Sequence, residues 1–230
     1  ILFANPNNPT GVAMTEAELQ GLAAIARKHD LWTISDEVYS ALTYDVPHRP
    51  IAALPGMAER TVTVSSLSKS HAMTGWRIGW VVAPETMIGH AQNLALILVY
   101  GLPGFVQQAA VTALQRSAEI TAEMRQVYRR RRDLVLERLD GLPGIRPVVP
   151  EAGMFLLLDV AQTGLTAAQF ARRLLQEQGV SLLDASAFGP GGEGHVRLSY
   201  TVSDAALEEA CRRVAAFAET LAPAARRAHG

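Results

Sequence analysis

The chain has 230 residues, of which 49% are hydrophobic and 19% charged, with a formal net charge of −1. That length allows one large domain or two smaller ones, each with its own core; there is no basic excess to attract nucleic acid or an anionic membrane, and no apolar run that would span a bilayer. Cys211 is the only cysteine, which excludes an intrachain disulfide framework and a cysteine-rich metal site and suits a reducing cytoplasm.

Residues 1–4 form an apolar run that stops at the turn-rich Asn5-Pro6-Asn7-Asn8-Pro9-Thr10-Gly11, as a buried strand entering a loop does. With no initiating Met, basic n-region or cleavage site, this start reads as a strand of a longer protein rather than a secretory leader. Thr15 and Glu18 have capping-box spacing, and Leu19, Leu22, Ala23, Ile25 and Ala26 predict one apolar helical face as far as residue 28. Residues 31–35, 61–65 and 78–83 are predicted strands, and Pro84 suits the first turn of another helix. Strands alternating with helices predict an α/β layered fold.

From Gly104 the pattern is helical, with a bend expected near Ser117, until Gly141-Leu142-Pro143-Gly144 ends it. Beyond it, strands are predicted at 145–149, 154–159, 180–183 and 195–199, and helices at 166–177 and 203–221. In the last helix Leu207, Ala210, Val214, Ala218 and Leu221 form an apolar stripe. A boundary inside the long helix is expected to divide residues 1–116 from 117–230.

The chemistry-bearing stretch is residues 65–80, from Ser65-Ser66-Leu67-Ser68-Lys69 to Gly75-Trp76-Arg77-Ile78-Gly79-Trp80, between two predicted strands. Its polar groups gather at a strand's carboxyl end, where open α/β sheets bind ligands. The hydroxyls of Ser66 and Ser68 with the fork of Arg77 suit a phosphate. Lys69 beside them is a candidate nucleophile towards an aldehyde. Taken alone, a Ser-x-Ser-Lys string is an ordinary surface lysine near hydroxyls. The context that changes this is Asn8 in Asn8-Pro9-Thr10-Gly11 and Asp36 and Tyr39 in Asp36-Glu37-Val38-Tyr39, which also follow predicted strands.

In this order and spacing, the four motifs resemble the fold type I, class I/II aminotransferases that depend on pyridoxal 5′-phosphate. Glu151-Ala152-Gly153-Met154-Phe155 and His195-Val196-Arg197-Leu198-Ser199 extend the resemblance over essentially the whole chain. The resemblance implies a partial large-domain sheet in residues 1–116, a small C-terminal α/β domain in 117–230, and a missing N-terminal part. It implies that Lys69 forms the Schiff base with the coenzyme and shuttles the substrate's proton. Asp36 would pair with the pyridine nitrogen, Tyr39 and Asn8 with the 3′-oxygen, and Ser66, Ser68 and Arg77 with the phosphate. Arg197 would grip the substrate's α-carboxylate, with Asn8 also on the substrate side. The substrates implied are an L-amino acid and a 2-oxo acid, and the assembly a homodimer. Residues 66–82, 93–96 and 128–135 bring the likeness nearer to members that take L-arginine as donor and pyruvate as acceptor. Aspartate- or aromatic-type transamination, a β-lyase, and the effector domain of an aminotransferase-like transcription regulator are the alternatives.

Other residues read blandly. His71 and His195 have no further metal-type residue placed with them, so no metal site is expected. Glu37 reads as a loop or helix-start carboxylate, and Arg129 to Arg132 as a solvated helix face with Glu123, Asp133 and Glu137 nearby. Trp76 and Trp80 read as packing residues, and Cys211 as semi-buried and inert.

Overall fold

In the computed structural model, which describes residues 1–221, β1 (Leu2–Ala4), β2 (Thr33–Asp36) and β3 (Thr61–Ser66) run parallel. β4 (Gly79–Val82) adds antiparallel to β3, giving the order β1-β2-β3-β4. The register Ala4–Asp36 and Asp36–Val64 brings the carboxyl ends of the three parallel strands to one edge of the sheet. Parallel neighbours need long crossovers, and α1 (Glu16–Lys28) lies in the first of them.

α1 opens on the expected capping box. Thr15 Oγ1 accepts from the Glu18 N–H at 3.3 Å, and Glu18 Oε2 accepts from the Thr15 N–H at 2.7 Å. Leu19, Ala23 and Ala26, at helical spacing, pack with Ile51 and Met57 into a core that Phe3 and Leu22 border. Ile25 departs from the expected apolar face and is 51% exposed, because it projects about 100° away from Ala26 around the helix. A second cluster sets Leu67 against Ala110 and Ala113 of α3 (Gly104–Gln115), with Met73 and Ile78 beside it. α2 (Glu85–Val99) buries no residue, and Ile97, Leu98 and Val99 near its end stand open. Trp76 and Trp80, expected to pack, are exposed, Trp80 on an edge strand all of whose residues are exposed.

The long helix breaks where a bend was expected, at Arg116, and resumes as α4 (Ser117–Leu139). Two compact units result: Ile1–Asn8 with Val12–Gln126, and Pro9–Gly11 with the chain from Val127 onward. In the second unit, β5 (Arg146–Val148), β6 (Phe155–Asp159), β8 (His195–Ser199) and β7 (Leu183–Asp184) form an antiparallel sheet in that order. β6 is buried along Phe155 to Leu158. α5 (Ala167–Gln178) and α6 (Asp204–Leu221) meet through Phe170 and Phe217, edge to face at 5.2 Å.

Two expectations for this unit change. Of the strand predicted over 180–183, only Leu183 pairs, together with Asp184, because the chain leaves α5 at the left-handed Gly179 and spends residues 180–182 crossing to the sheet. Cys211 is fully buried rather than half-buried: the stripe of α6 runs through Leu207, Cys211, Val214 and Phe217, leaving Ala210 at its margin. Burial pushes the Cys211 thiol up to about 11. Among the described residues no helix is long and apolar enough to cross a membrane.

Candidate active site

The three parallel strands deliver the polar residues to one edge. Beyond Ala4 come Asn5 to Asn8; at and beyond Asp36 come Glu37 to Tyr39; at and beyond Ser66 come Leu67 to Lys69. Backbone bonds tie these ends together: the Asn5 N–H donates to Asp36 O and the Glu37 N–H to Val64 O, both at 2.9 Å. β4 starts opposite Ser66 at Gly79, so Arg77 stands at the same end of the sheet. Asn8, Asp36, Tyr39, Ser66, Ser68, Lys69 and Arg77 are therefore brought to one end of one sheet within one unit. Arg197 belongs to the second unit, on β8 opposite Leu157.

Local geometry fixes several of these side chains. Asp36 Oδ1 accepts from the Val38 N–H at 3.1 Å, a turn just after β2, and Tyr39 beyond it is buried. Ser66 Oγ accepts from the Ser68 N–H at 3.2 Å. The half-buried Lys69 follows directly, on a loop whose Leu67 is fully buried. Arg77 takes the left-handed conformation, φ 52°, and donates to Thr74 O at 2.8 Å.

Glycine is required where β4 meets β3: a Cβ on Gly79 would come within 2.7 Å of Ser65 O and 3.0 Å of Ser66 Cβ. In the second unit Gly11, at φ +71°, has room for no Cβ, since one would lie 2.5 Å from that of Pro150. Its carbonyl accepts from the Glu151 and Ala152 N–H groups.

Three features of the region were not foreseen. Glu37 is no exposed loop carboxylate: it is 6% exposed, and its oxygens accept from Ser35 Oγ and contact His48 Nε2, each at 2.9 Å. His48 Nδ1 is buried with no hydrogen-bond partner among the described residues, so the ring's contact to Glu37 is made through Nε2. The guanidinium of Arg197 lies over two rings, 5.1 Å from Phe155 and 5.2 Å from Phe188. His71 bridges two serines, Ser70 and Ser117. Ser35-x-Glu37, at strand spacing, and the adjacent Ser70-His71 could be read from the sequence; Ser117, His48 and the two phenylalanines are more distant partners. Among the described residues no group of three or more His, Cys, Asp or Glu could hold a metal ion.

A sequence model of the family described as aminotransferase class I and II matches residues 1–214. The chain belongs to that family. The class I and II match is accompanied by curated relatives of high identity. Arginine–pyruvate transaminase AruH of Pseudomonas aeruginosa is 52% identical over 94% of this chain and 55% of its own length. Aromatic-amino-acid aminotransferase 2 of Thermococcus litoralis is 40% identical over 93% of this chain and 56% of its own. The chain thus spans somewhat over half the length of these relatives. The crystal structure of the aromatic aminotransferase from Pyrococcus horikoshii OT3 superposes with a TM-score of 0.91 at 40% identity, over 96% of this chain and 60% of that one. Aspartate aminotransferase of Thermus thermophilus, solved with maleate, gives 0.87 at 35%, over 94% and 56%. The fold is that of the fold type I aminotransferases.

Proposed function

We propose that this chain is the greater part of a pyridoxal-phosphate-dependent aminotransferase, built around Lys69, that moves an amino group from an L-amino acid to a 2-oxo acid. The observation that carries the reading is the convergence of Asn8, Asp36, Tyr39, Ser66, Ser68, Lys69 and Arg77 at one end of the β1-β2-β3-β4 sheet. The donor set suits the coenzyme group by group: a carboxylate for a ring nitrogen, a phenol and an amide for a phenolic oxygen, two hydroxyls and a guanidinium for a phosphate, an amine for an aldehyde. When bound, pyridoxal 5′-phosphate supplies an aldehyde and an electron-withdrawing ring that takes up the electron pair left on the substrate's Cα.

The residues do the rest. With the coenzyme bound, Lys69 would supply the amine that holds its aldehyde group and would carry the proton taken from the substrate's Cα. Asp36 keeps the ring nitrogen protonated. Tyr39 and Asn8 donate to the 3′-oxygen; Asn8 also faces substrate. Ser66, Ser68 and Arg77 hold the phosphate. Arg197 grips the α-carboxylate as a planar, bidentate partner, which orients every α-amino acid alike. In this reading residues 1–116 belong to the large domain and 117–230 to the small one, and the full protein is a cytoplasmic homodimer.

The test is to incubate the chain with pyridoxal 5′-phosphate, reduce with borohydride, digest, and locate the pyridoxyl group by mass spectrometry. Label on Lys69 that disappears in Lys69→Ala supports the reading; label on Lys28, the only other lysine, or on the α-amino group in place of Lys69 overturns it. The finer reading, L-arginine as donor and pyruvate as acceptor, rests on the 52% identity to the Pseudomonas aeruginosa enzyme. A full protein that makes alanine from pyruvate with arginine supports it, whereas turnover of aspartate or aromatic amino acids with none of arginine overturns it.

A further inference from the structure

We propose that His71 is a positioning residue for Lys69: its imidazole ties the lysine-bearing loop to the first residue of α4. The inference rests on the reading of Lys69 given above.

The loop from Leu67 to Met73 is a tight turn. The His71 and Met73 N–H groups donate to Leu67 O at 3.2 and 3.3 Å, and the Ala72 N–H donates to Lys69 O at 3.3 Å. Ala72 holds φ 52°, a left-handed conformation that a non-glycine residue keeps only where its surroundings impose it. On one side of Lys69 the chain is anchored by Leu67 in the α3 core and by the bond from the Ser68 N–H to Ser66 Oγ. On the other side stands Ser70, 5% exposed, whose Oγ lies 2.8 Å from His71 Nδ1. His71 Nε2 in turn lies 3.1 Å from Ser117 Oγ, 46 residues along the chain. A neutral imidazole has one N–H and one lone pair, and each hydroxyl can donate or accept, so the Ser70–His71–Ser117 chain is satisfied in either direction. Burial holds the His71 pKa below the usual histidine value, which favours that neutral ring.

The anchoring matters because the proposed duties of Lys69 conflict. Its side chain must bond one atom and later carry a proton between two others, so the side chain must swing while the backbone stays still. A displacement of about 1 Å in a reacting group can cost on the order of a hundredfold in rate. The core packing of Leu67 fixes one end of the Lys69 turn, and the imidazole bridge fixes the other.

The experiment compares the 230-residue chain with Ser117→Ala, His71→Ala and Thr121→Ala. Two quantities are read: the rate at which pyridoxal 5′-phosphate and borohydride label Lys69, and hydrogen exchange of the amides at 71–73 without coenzyme. Thr121 Oγ1 donates to Ser117 O in the same helical turn without touching the imidazole, so Thr121→Ala reports any general loosening of α4. The expected result is labelling slowed roughly tenfold and faster loop exchange in Ser117→Ala and His71→Ala, with both quantities near wild type in Thr121→Ala. Ser117→Ala keeps Lys69, Ser70 and His71 intact, so it decides the matter even if His71→Ala fails to fold. Wild-type labelling and exchange in Ser117→Ala, or the same loss in Thr121→Ala, overturns the inference while leaving Lys69 in its role. A wild-type chain that takes no label at Lys69 overturns the reading of Lys69 and the inference with it.

Discussion

Arg197 shows how a single residue's role depends on what holds it. Its guanidinium lies over the rings of Phe155 and Phe188, and each such contact is worth about 0.5–2 kcal/mol according to how far it is shielded from water. Phe188→Ala should loosen the guanidinium without removing it. On the proposed reading of Arg197, KM for the amino acid and the 2-oxo acid should both rise roughly fivefold in the full protein, with kcat little changed, as when an interaction equal in ground and transition states is lost. A change confined to one substrate would show that Phe188 touches that substrate's side chain instead. Gly79 carries a second prediction. Gly79→Ala forces a methyl group against Ser65 O and Ser66 Cβ, and over-packing of this kind costs about 1–3 kcal/mol. Denaturant unfolding should register that loss, and Lys69 labelling should slow as Ser66 shifts.

At the scale of elements, helix ends and strand alternation were legible and lateral partners were not. The capping box of α1 was readable in Thr15 and Glu18, while that of α5, with Thr166 and Gln169, went unnoticed although its spacing is the same. Thr166→Ala should cost about 1 kcal/mol by the shift of the denaturation midpoint. The strand expected at 180–183 failed for a reason no periodicity holds: residues that cross from a helix to a sheet can be as apolar as those that pair. The candidate site was legible as four motifs in order, because three follow strand ends and the fourth leads into β4. The contacts of His71 with Ser117 and of Glu37 with His48 were not, since they depend on the packing of remote segments. α6 supplies a pH test. Glu209 is held at about 2, below its ordinary 4.5, by side-chain hydrogen bonds from Arg212 and Arg213. Its folded pKa is depressed, so its stabilising contribution is whole above pH 4.5 and lost as pH falls towards 2. Arg213 also donates to Gln178 O at the end of α5, so the pair bears on helix packing. In low salt, Glu209→Gln should flatten the stability profile between those pH values. In about 1 M salt, where screening acts within roughly 3 Å, the two profiles should converge.

At the scale of the whole chain the dominant feature is the apolar surface of α2, where Leu94, Leu96, Ile97, Leu98 and Val99 are all more than half exposed. An apolar stretch of this extent on a protein surface marks a face that associates. The chain as it stands should therefore bind a hydrophobic dye and self-associate as concentration rises. Leu98→Glu should suppress both while shifting the thermal midpoint little, because Leu98 is 75% exposed and lies outside either core. Persistent dye binding in that variant would locate the sticky surface elsewhere. Cys211, the chain's single thiol, lies sealed at 1% exposure in the helical core of the second unit. To a maleimide the folded protein is consequently blank: a cysteine introduced at any open position becomes the sole attachment point for a fluorophore or spin label, with no native residue to remove first. The native thiol reacts only when α6 lets go of its neighbours, so the same reagent, left long enough, times the opening of that core.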